Sequence, residues 1–389
     1  MLNSRSILRS VVEKDAGPMR KAQQSLSLIV DGLAAIVIAV RDTSAKIEVG
    51  YELASAVRHL SGISQLLTIF LQDIDYRELR EQSRQRLAQQ NEAVTVQQIF
   101  QSSYIAEKAA ILASLTTLAS SSLSHRNLRV SQVCSEIFTW ALHRLSSSTI
   151  DSLSMCQELF PVSSLERVTP GREIGVEVLP LAVRNRGADI PRHSKVAAIF
   201  HFMLFGTEIA TIETCAENIL EFRAMPLEFV SDMAIQILDE CRHAEYCIMQ
   251  MSRLGASIGD YPCDLRLWSM QKGLSLELRL ATHQRIGESI GIDAAISGLQ
   301  EHLLSKDAES ADVMAYIALD EITHVAIGNK WIHHLVGPNR INEIHQRAEA
   351  IRAVALGNSG VSSYPLNNWA YQLAGFRSED IDSILANRA

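Results

Sequence analysis

Glycine and proline are scarce in this 389-residue chain, at 19 and 9 residues, which leaves too few breakers for a turn-dense architecture and favours helices. No CxxC pair occurs. The six cysteines, Cys134, Cys156, Cys215, Cys241, Cys247 and Cys263, form no regular framework, which excludes a disulfide scaffold and reads as reduced thiols of a cytosolic protein, several buried as small apolar groups. Positive charge is not in excess: the net charge of −8 argues against a nucleic-acid partner, because phosphate binding needs a local surplus of Lys and Arg. The start, MLNSRSILRSVVEKDAGPMRK, is polar and charged, unlike a secretory signal. The most apolar run, Ser25–Val40, contains Asp31 and is too short to cross a bilayer, so it reads as a buried helix. A cytoplasmic protein without a membrane partner is the expectation.

What is present is a globular composition, 47% apolar and 21% charged, in a chain long enough for two or three domains. Apolar residues at three-to-four spacing predict helices over Met19–Val40, Tyr51–Ile74, Thr95–Ser120 and Leu128–Leu145, separated by polar breaks such as Arg41–Ser44. Residues 1–155 carry no motif for chemistry and read as an N-terminal helical domain, used for dimerisation or for shaping access to a substrate. Residues 156–193 hold a proline- and glycine-rich stretch that reads as a linker. Beyond it, Ser194 is placed to cap a helix over Lys195–Arg223, followed by helices over Leu227–Leu254, Leu265–Ser289 and Glu309–Leu335. Gly291 is read as a breaker of the third, with a short helix at Ala294–Ser305 after it, and Gly337 with Pro338 ends the fourth. The fold class is therefore all-α, with an antiparallel four-helix bundle over 194–338 and a helical extension over 339–389.

The second and fourth of these helices each contain Asp-Glu-x-x-His: Asp239-Glu240-Cys241-Arg242-His243 and Asp320-Glu321-Ile322-Thr323-His324. Residues three apart lie about 60° apart around a helix and about 4.5 Å along it, so the carboxylate and imidazole of each motif can reach one ion or ion pair. A single Glu-x-x-His is a weak signal, whereas two copies within apolar runs (AIQIL and MAYIAL) bury charged groups that need a reason to be there. A dimetal bundle requires one more glutamate from each remaining helix. Glu208 lies 32 residues before Glu240, and Glu288 lies 33 before Glu321. Two antiparallel helices of about 24 Å and a loop return the chain to the same depth after such a separation. The six candidate metal ligands are Glu208, Glu240, His243, Glu288, Glu321 and His324. Four carboxylates balance two divalent cations, and oxygen-rich ligation with two imidazoles suits iron or manganese rather than thiolate-bound zinc.

Asp239 and Asp320 point away from the neighbouring glutamates toward an adjacent helix, where each can accept the ring N–H of the other motif's histidine: Asp239 with His324, Asp320 with His243. Glu213 is either a further carboxylate near the site or a helix-surface acid. Arg242 is expected to make a salt bridge behind the site, Tyr246 and Tyr316 to be packing or redox-active residues, Cys241 and Cys247 core thiols, and His333-His334 surface residues.

With these motifs in view, the sequence resembles the ferritin-like superfamily and, within it, a bacterial ferritin-like group catalogued as a domain of unknown function. The stretches that carry the resemblance are TEIATIE (207–213), LDECRHAEY (238–246), RLGASIGDYPCDLRLW (253–268), GESIGID (287–293), LDEITHVAIGNKW (319–331) and PLNNWAYQLAGF (365–376). It covers about residues 170–385 and implies the same six ligands. Asp239-Glu240-x-Arg242-His243 is also similar to the motif of bacterial multicomponent di-iron monooxygenases. Where the group has a histidine two residues before the first ligand, this chain has Gly206, a smaller residue expected to open space beside the metals. The resemblance implies two iron ions, or an iron–manganese pair, with O2 as co-substrate. The leading expectation is an O2-activating non-haem di-iron oxidoreductase, an oxygenase, hydroxylase or N-oxygenase acting on a small organic substrate. The alternatives are a ferroxidase or iron-handling protein and a tRNA-modifying hydroxylase. No flavin, nicotinamide or iron–sulfur motif is present, so electrons come from an external donor or from the substrate. A homodimer is compatible with the N-terminal helices.

Overall fold

The computed structural model describes residues 4–71, 78–79, 81–82, 85, 93–95, 98, 100–119, 128–143, 159–161, 171, 192–263, 265–356 and 363–388. Nearly all of them are helical. The strands among the described residues are β1 (Ala93–Thr95) and β2 (Leu159–Pro161), paired antiparallel with Val94 opposite Phe160. Thr95, expected to open a helix, thus ends a strand. Of the segment 156–193, only residues 159–161, 171 and 192–193 are described. Two compact units result, Met1–Ile174 with Cys215–Leu238, and Gly175–Thr214 with Asp239–Ala389. Residues Cys215–Leu238 therefore group with the N-terminal helices rather than with the 194–338 segment.

In the first unit, α1 (Ser4–Ala39) and α2 (Thr43–Leu71) pack on each other, and α3 (Ala106–Ala119) and α4 (Leu128–Leu142) complete the layer. From Met19 to Val40 nearly every side chain is buried, including Leu26, Ile29, Leu33 and Ile36. Such all-round burial is the mark of a core helix, each Leu or Ile contributing about 1.5–3 kcal/mol. Helix α1 continues through Pro18, so the apolar stretch Gly17–Ala39 is long enough to cross a membrane, contrary to the shorter run expected, as is Lys195–Glu221; most of each window is buried inside the protein. Asp31, fully buried in this stretch, is neutralised by Arg223, whose Nη1 donates to Oδ2 at 2.8 Å. Between α1 and α2 the chain turns at Asp42, whose Oδ1 accepts from the Ala45 amide at 2.7 Å and satisfies a free N–H of the new helix.

The second unit is built on longer helices. Helix α5 (Arg192–Met203) runs into a π-helical turn, Leu204–Glu208, and on into α6 (Ile209–Glu221). Helix α5 thus begins before Ser194, which does not cap it. Helix α7 spans Leu227–Arg253. A short α8 (Arg266–Met270) ends before Gly273, whose φ of +73° turns the chain, so the third long helix starts only at α9 (Leu276–Leu280). It passes through a second π-helical segment, Ala281–Gly287, into α10 (Glu288–Leu304). Gly291, expected to break this helix, lies inside it; a Cβ there would sit 3.7 Å from the Glu321 carboxylate carbon, so the glycine keeps the helix close to its neighbour without interrupting it. Helix α11 (Ala308–Val336) is capped by the Asp307 side chain on the Ser310 amide and stopped at Gly337, φ +69°, followed by Pro338.

The C-terminal helices α12 (Ile341–Leu356), α13 (Asn368–Leu373) and α14 (Ser378–Arg388) close over this framework. Ala370, Tyr371, Phe376, Ile381 and Ile384 form one core with Ile292 of α10 and Val325 of α11. The buried Asp293 ties it down, accepting from the amide and side chain of Asn367, both at 2.9 Å, and from the Tyr371 hydroxyl at 2.9 Å. The motifs at 287–293 and 365–376 are thereby parts of one packing unit.

Candidate metal centre

Four helical segments of the second unit bring the six candidate ligands together. Glu208 ends the first π-helical turn, Glu288 follows directly on the second, Glu240 and His243 lie on α7, and Glu321 and His324 on α11. All six are buried. Their donor atoms fall into two groups, Glu208, Glu240, His243 and Glu321, and Glu240, Glu288, Glu321 and His324, each with donor atoms within 4.8 Å of one another. Glu240 and Glu321 belong to both.

The orientation of the shared carboxylates explains this. Glu240 turns Oε2 to His243 Nδ1 at 3.3 Å and Oε1 to His324 Nδ1 at 3.2 Å. Glu321 turns Oε1 to His243 Nδ1 at 3.9 Å and Oε2 to His324 Nδ1 at 2.9 Å. Each shared glutamate therefore presents one oxygen to each histidine. Glu208 stands on the His243 side, with Oε2 3.9 Å from Nδ1, and Glu288 completes the group of His324.

Behind the histidines, His243 Nε2 lies 3.0 Å from Asp320 Oδ2 and His324 Nε2 lies 3.3 Å from Asp239 Oδ2. Each aspartate accepts the Nε2–H of the other motif's histidine, which leaves both Nδ1 lone pairs directed at the cluster. Arg242 closes the chain, donating from Nη2 to Asp239 Oδ1 at 2.8 Å and to Asp320 Oδ2 at 2.7 Å. Both imidazoles are thus oriented through one guanidinium.

The electrostatics follow from burial of four acids with two bases. Burial raises Glu208 well above the usual carboxylate range, and neighbouring Glu240 adds to it. Burial, then Glu288, pushes Glu321 up to about 8. Burial works the same way on Glu240, but the charges and hydrogen bonds of His324 and His243 outweigh it and hold Glu240 well below that range. Burial disfavours the imidazolium of both histidines, yet both rise well above the ordinary value: His243 through Asp320 and Glu240, His324 through Glu321, Glu240 and Asp239. Without cations, protons balance the cluster, and divalent ions would take their place.

The remaining candidates stand further back. Glu213 is fully buried, which removes the helix-surface alternative, and it belongs to neither donor group. Tyr246 and Tyr316 pack with ring centroids 6.1 Å apart, Tyr316 being 58% exposed. Cys241 and Cys247 are buried thiols whose pKa burial pushes well up, and neither joins a donor group. His333 and His334 are exposed. The space expected at Gly206 is filled: a Cβ there would meet the Phe202 ring at 2.9 Å.

One residue went unread in the sequence. His283, fully buried in the second π-helical segment, holds Nε2 3.1 Å from Glu288 Oε1 and 2.8 Å from Thr211 Oγ1. The Thr211 hydroxyl donates to Thr207 O at 2.9 Å, so His283 Nε2 carries the hydrogen and fixes Glu288. Its setting, Ala-Thr-His-Gln-Arg, looks like an exposed helical surface. A π-helical turn adds a residue to the turn and shifts the face by roughly 100°, which the periodicity of an α-helix does not reveal.

Comparison with known proteins adds a family and no function. An uncharacterized protein of Haemophilus influenzae is 33% identical over 112 residues, which are 28% of this chain and 38% of that protein, so the chain spans well under half the length of this curated relative. No solved structure matches significantly. Residues 129–382, well over half of the chain, match the family described as "Protein of unknown function (DUF455)", and the chain belongs to that family.

Proposed function

We propose that the six side chains hold a carboxylate-bridged pair of metal ions, two irons or iron with manganese, in a ferritin-like four-helix bundle, and that the protein is an O2-activating oxidoreductase acting on a small organic substrate. The observation that carries this reading is that Glu240 and Glu321 each offer one oxygen to His243 and the other to His324. A solvated acidic face has no reason for such symmetry, and a mononuclear site has no use for it. The donor chemistry fits as well: four carboxylates and two neutral imidazoles suit iron or manganese and neutralise two divalent charges in a buried place.

When bound, a pair of ferrous ions supplies two electrons to O2 at one place. The chain's own residues supply the rest. Glu208 with His243 and Glu288 with His324 would hold one ion each, and Glu240 and Glu321 would span the pair. Asp320 and Asp239 keep Nδ1 of each imidazole available by occupying Nε2–H. Burial of every donor keeps bulk water from the site.

Metal-free protein loaded with ferrous iron under nitrogen and then mixed with O2 tests the proposal. Uptake of about two irons per chain is expected, followed by oxygen consumption and an optical change that Glu240→Ala and Glu321→Ala abolish. A chain that takes up no iron, or whose two variants behave like the parent, contradicts it.

A further inference from the structure

Arg352 is the unusual charge of the second unit. Only 5% exposed, its guanidinium has no carboxylate within ion-pair distance among the described residues. Nη1 donates to Thr282 O at 2.7 Å, while Nε is buried without a partner. Burial lowers its pKa to about 10, so it stays charged at neutral pH. An unpaired buried charge is costly, and chains keep one where something pairs with it. The other buried arginine of this region shows the contrast: Arg285 is paired with Asp380, 3.2 Å away.

A second donor lies unused beside it. Thr282 joins the two, its carbonyl accepting from Arg352 and its hydroxyl donating to Gln271 Oε1 at 3.2 Å. Gln271 is fully buried, and its Nε2 has no partner. Both unused groups are donors, so what they lack is an acceptor. Gly287 keeps the place uncrowded: a Cβ there would come within 3.2 Å of Arg352 Nη1. The next residue is Glu288, whose oxygen is turned to His283 rather than to Arg352.

We propose that Arg352 and Gln271 form a binding site for the carboxylate group of a small organic acid, held one residue from Glu288. The site rests on the unpaired donors alone. Its role as the anchor of the substrate, which makes the substrate class a small carboxylic acid, rests on the metal-centre reading above. A guanidinium Nε–H and a primary amide N–H together suit the two oxygens of a carboxylate, a geometry that an ammonium would not offer.

Calorimetric titration of the full-length protein, metal-free and ferrous-loaded under nitrogen, tests this with formate, acetate, hexanoate and benzoate. Hexanamide and benzamide serve as neutral counterparts, and nitrate and chloride as inorganic anions. At least one carboxylate is expected to bind with one molecule per chain and at least tenfold more tightly than its amide or either inorganic anion. Arg352→Met is expected to lose that binding at least tenfold while taking up as much iron as the parent, and Gln271→Leu to weaken it severalfold. If Arg352→Met does not fold, Arg352→Lys is expected to keep the preference for carboxylate over amide at reduced affinity. Absence of carboxylate binding, equal binding by the Arg352 and Gln271 variants, or equal binding of nitrate overturns the proposal. Iron uptake is read separately: carboxylate binding by a protein that takes up no iron leaves the site standing and defeats the metal reading, and the converse result does the reverse.

Discussion

Glu208→Ala and Glu240→Ala each remove one buried carboxylate from the same cluster, yet their consequences for metal binding differ in kind. Glu208 belongs to one donor group and Glu240 to both. With alanine at 208, the group of Glu240, Glu288, Glu321 and His324 is complete, so one ion per chain is expected to bind at near-parental affinity while the other is lost. With alanine at 240, each group is reduced to three donors, and both His243 and His324 lose an oxygen that stood 3.3 and 3.2 Å from Nδ1. Substituting a residue that merely supports a ligand weakens metal binding about 10–100-fold, or about 1.4–2.7 kcal/mol, and loss of a direct donor costs at least that for each ion. Anaerobic titration with ferrous iron and with manganous ion, together with metal content after desalting, reads both numbers. The parent should hold two ions, Glu208→Ala one, and Glu240→Ala fewer than one at concentrations that saturate the other two. Circular dichroism of the metal-free proteins checks that all three are equally folded. If Glu208→Ala and Glu240→Ala retain the same amount of metal with the same affinity, the sharing deduced from the geometry is wrong.

Asp320→Ala is expected to weaken the ion held with His243 about 10–100-fold and Asp239→Ala the ion held with His324, because each removes the partner of one Nε2–H; site-resolved metal titrations would show no such asymmetry if the aspartates were only surface charges. Metal loading should expel protons, about two per ion, because Glu208, Glu321, His243 and His324 are all held above their ordinary values. The protonated forms are the ones that compete with the metal, so affinity must rise with pH through neutrality, and a pH-stat trace without proton release on loading would refute this. Gly328→Ala should cost about 1–3 kcal/mol in chemical denaturation, since the new methyl would lie 2.5 Å from Gln284 Cβ and 3.2 Å from the Arg285 amide; an unchanged midpoint would show that α11 and the π-helical segment give way freely.

The parts of the site that could be read from the sequence are those set by α-helical geometry. Two Glu-x-x-His repeats fix which residues share a face, and separations of 32 and 33 residues place Glu208 and Glu288 at the depth of the repeats. The structure gathers those six side chains. What stayed hidden depends on departures from that geometry or on contacts between segments distant in sequence. Gly291 looked like a helix end because glycine is a poor helix former, and nothing in the sequence shows that Glu321 lies against it. The space expected at Gly206 assumed that a small residue leaves a gap, whereas Phe202, one turn earlier, fills it. His283 and Gln284 are buried on a π-helical segment that reads as a polar surface when α-helical spacing is assumed. Arg352 reaches Thr282 from 70 positions away, and no local pattern marks it among the other arginines. The Asp42 turn, by contrast, was plain in the sequence, since it rests on neighbouring residues only.

The most direct test of the metal centre is a crystal structure of the ferrous-loaded protein with anomalous data collected on both sides of the iron edge. Two iron peaks are expected, roughly 3.5–4 Å apart, one beside Glu208 and His243 and the other beside Glu288 and His324, with Glu240 and Glu321 spanning both. A single peak, or iron bound only outside these six side chains, would contradict the dinuclear reading.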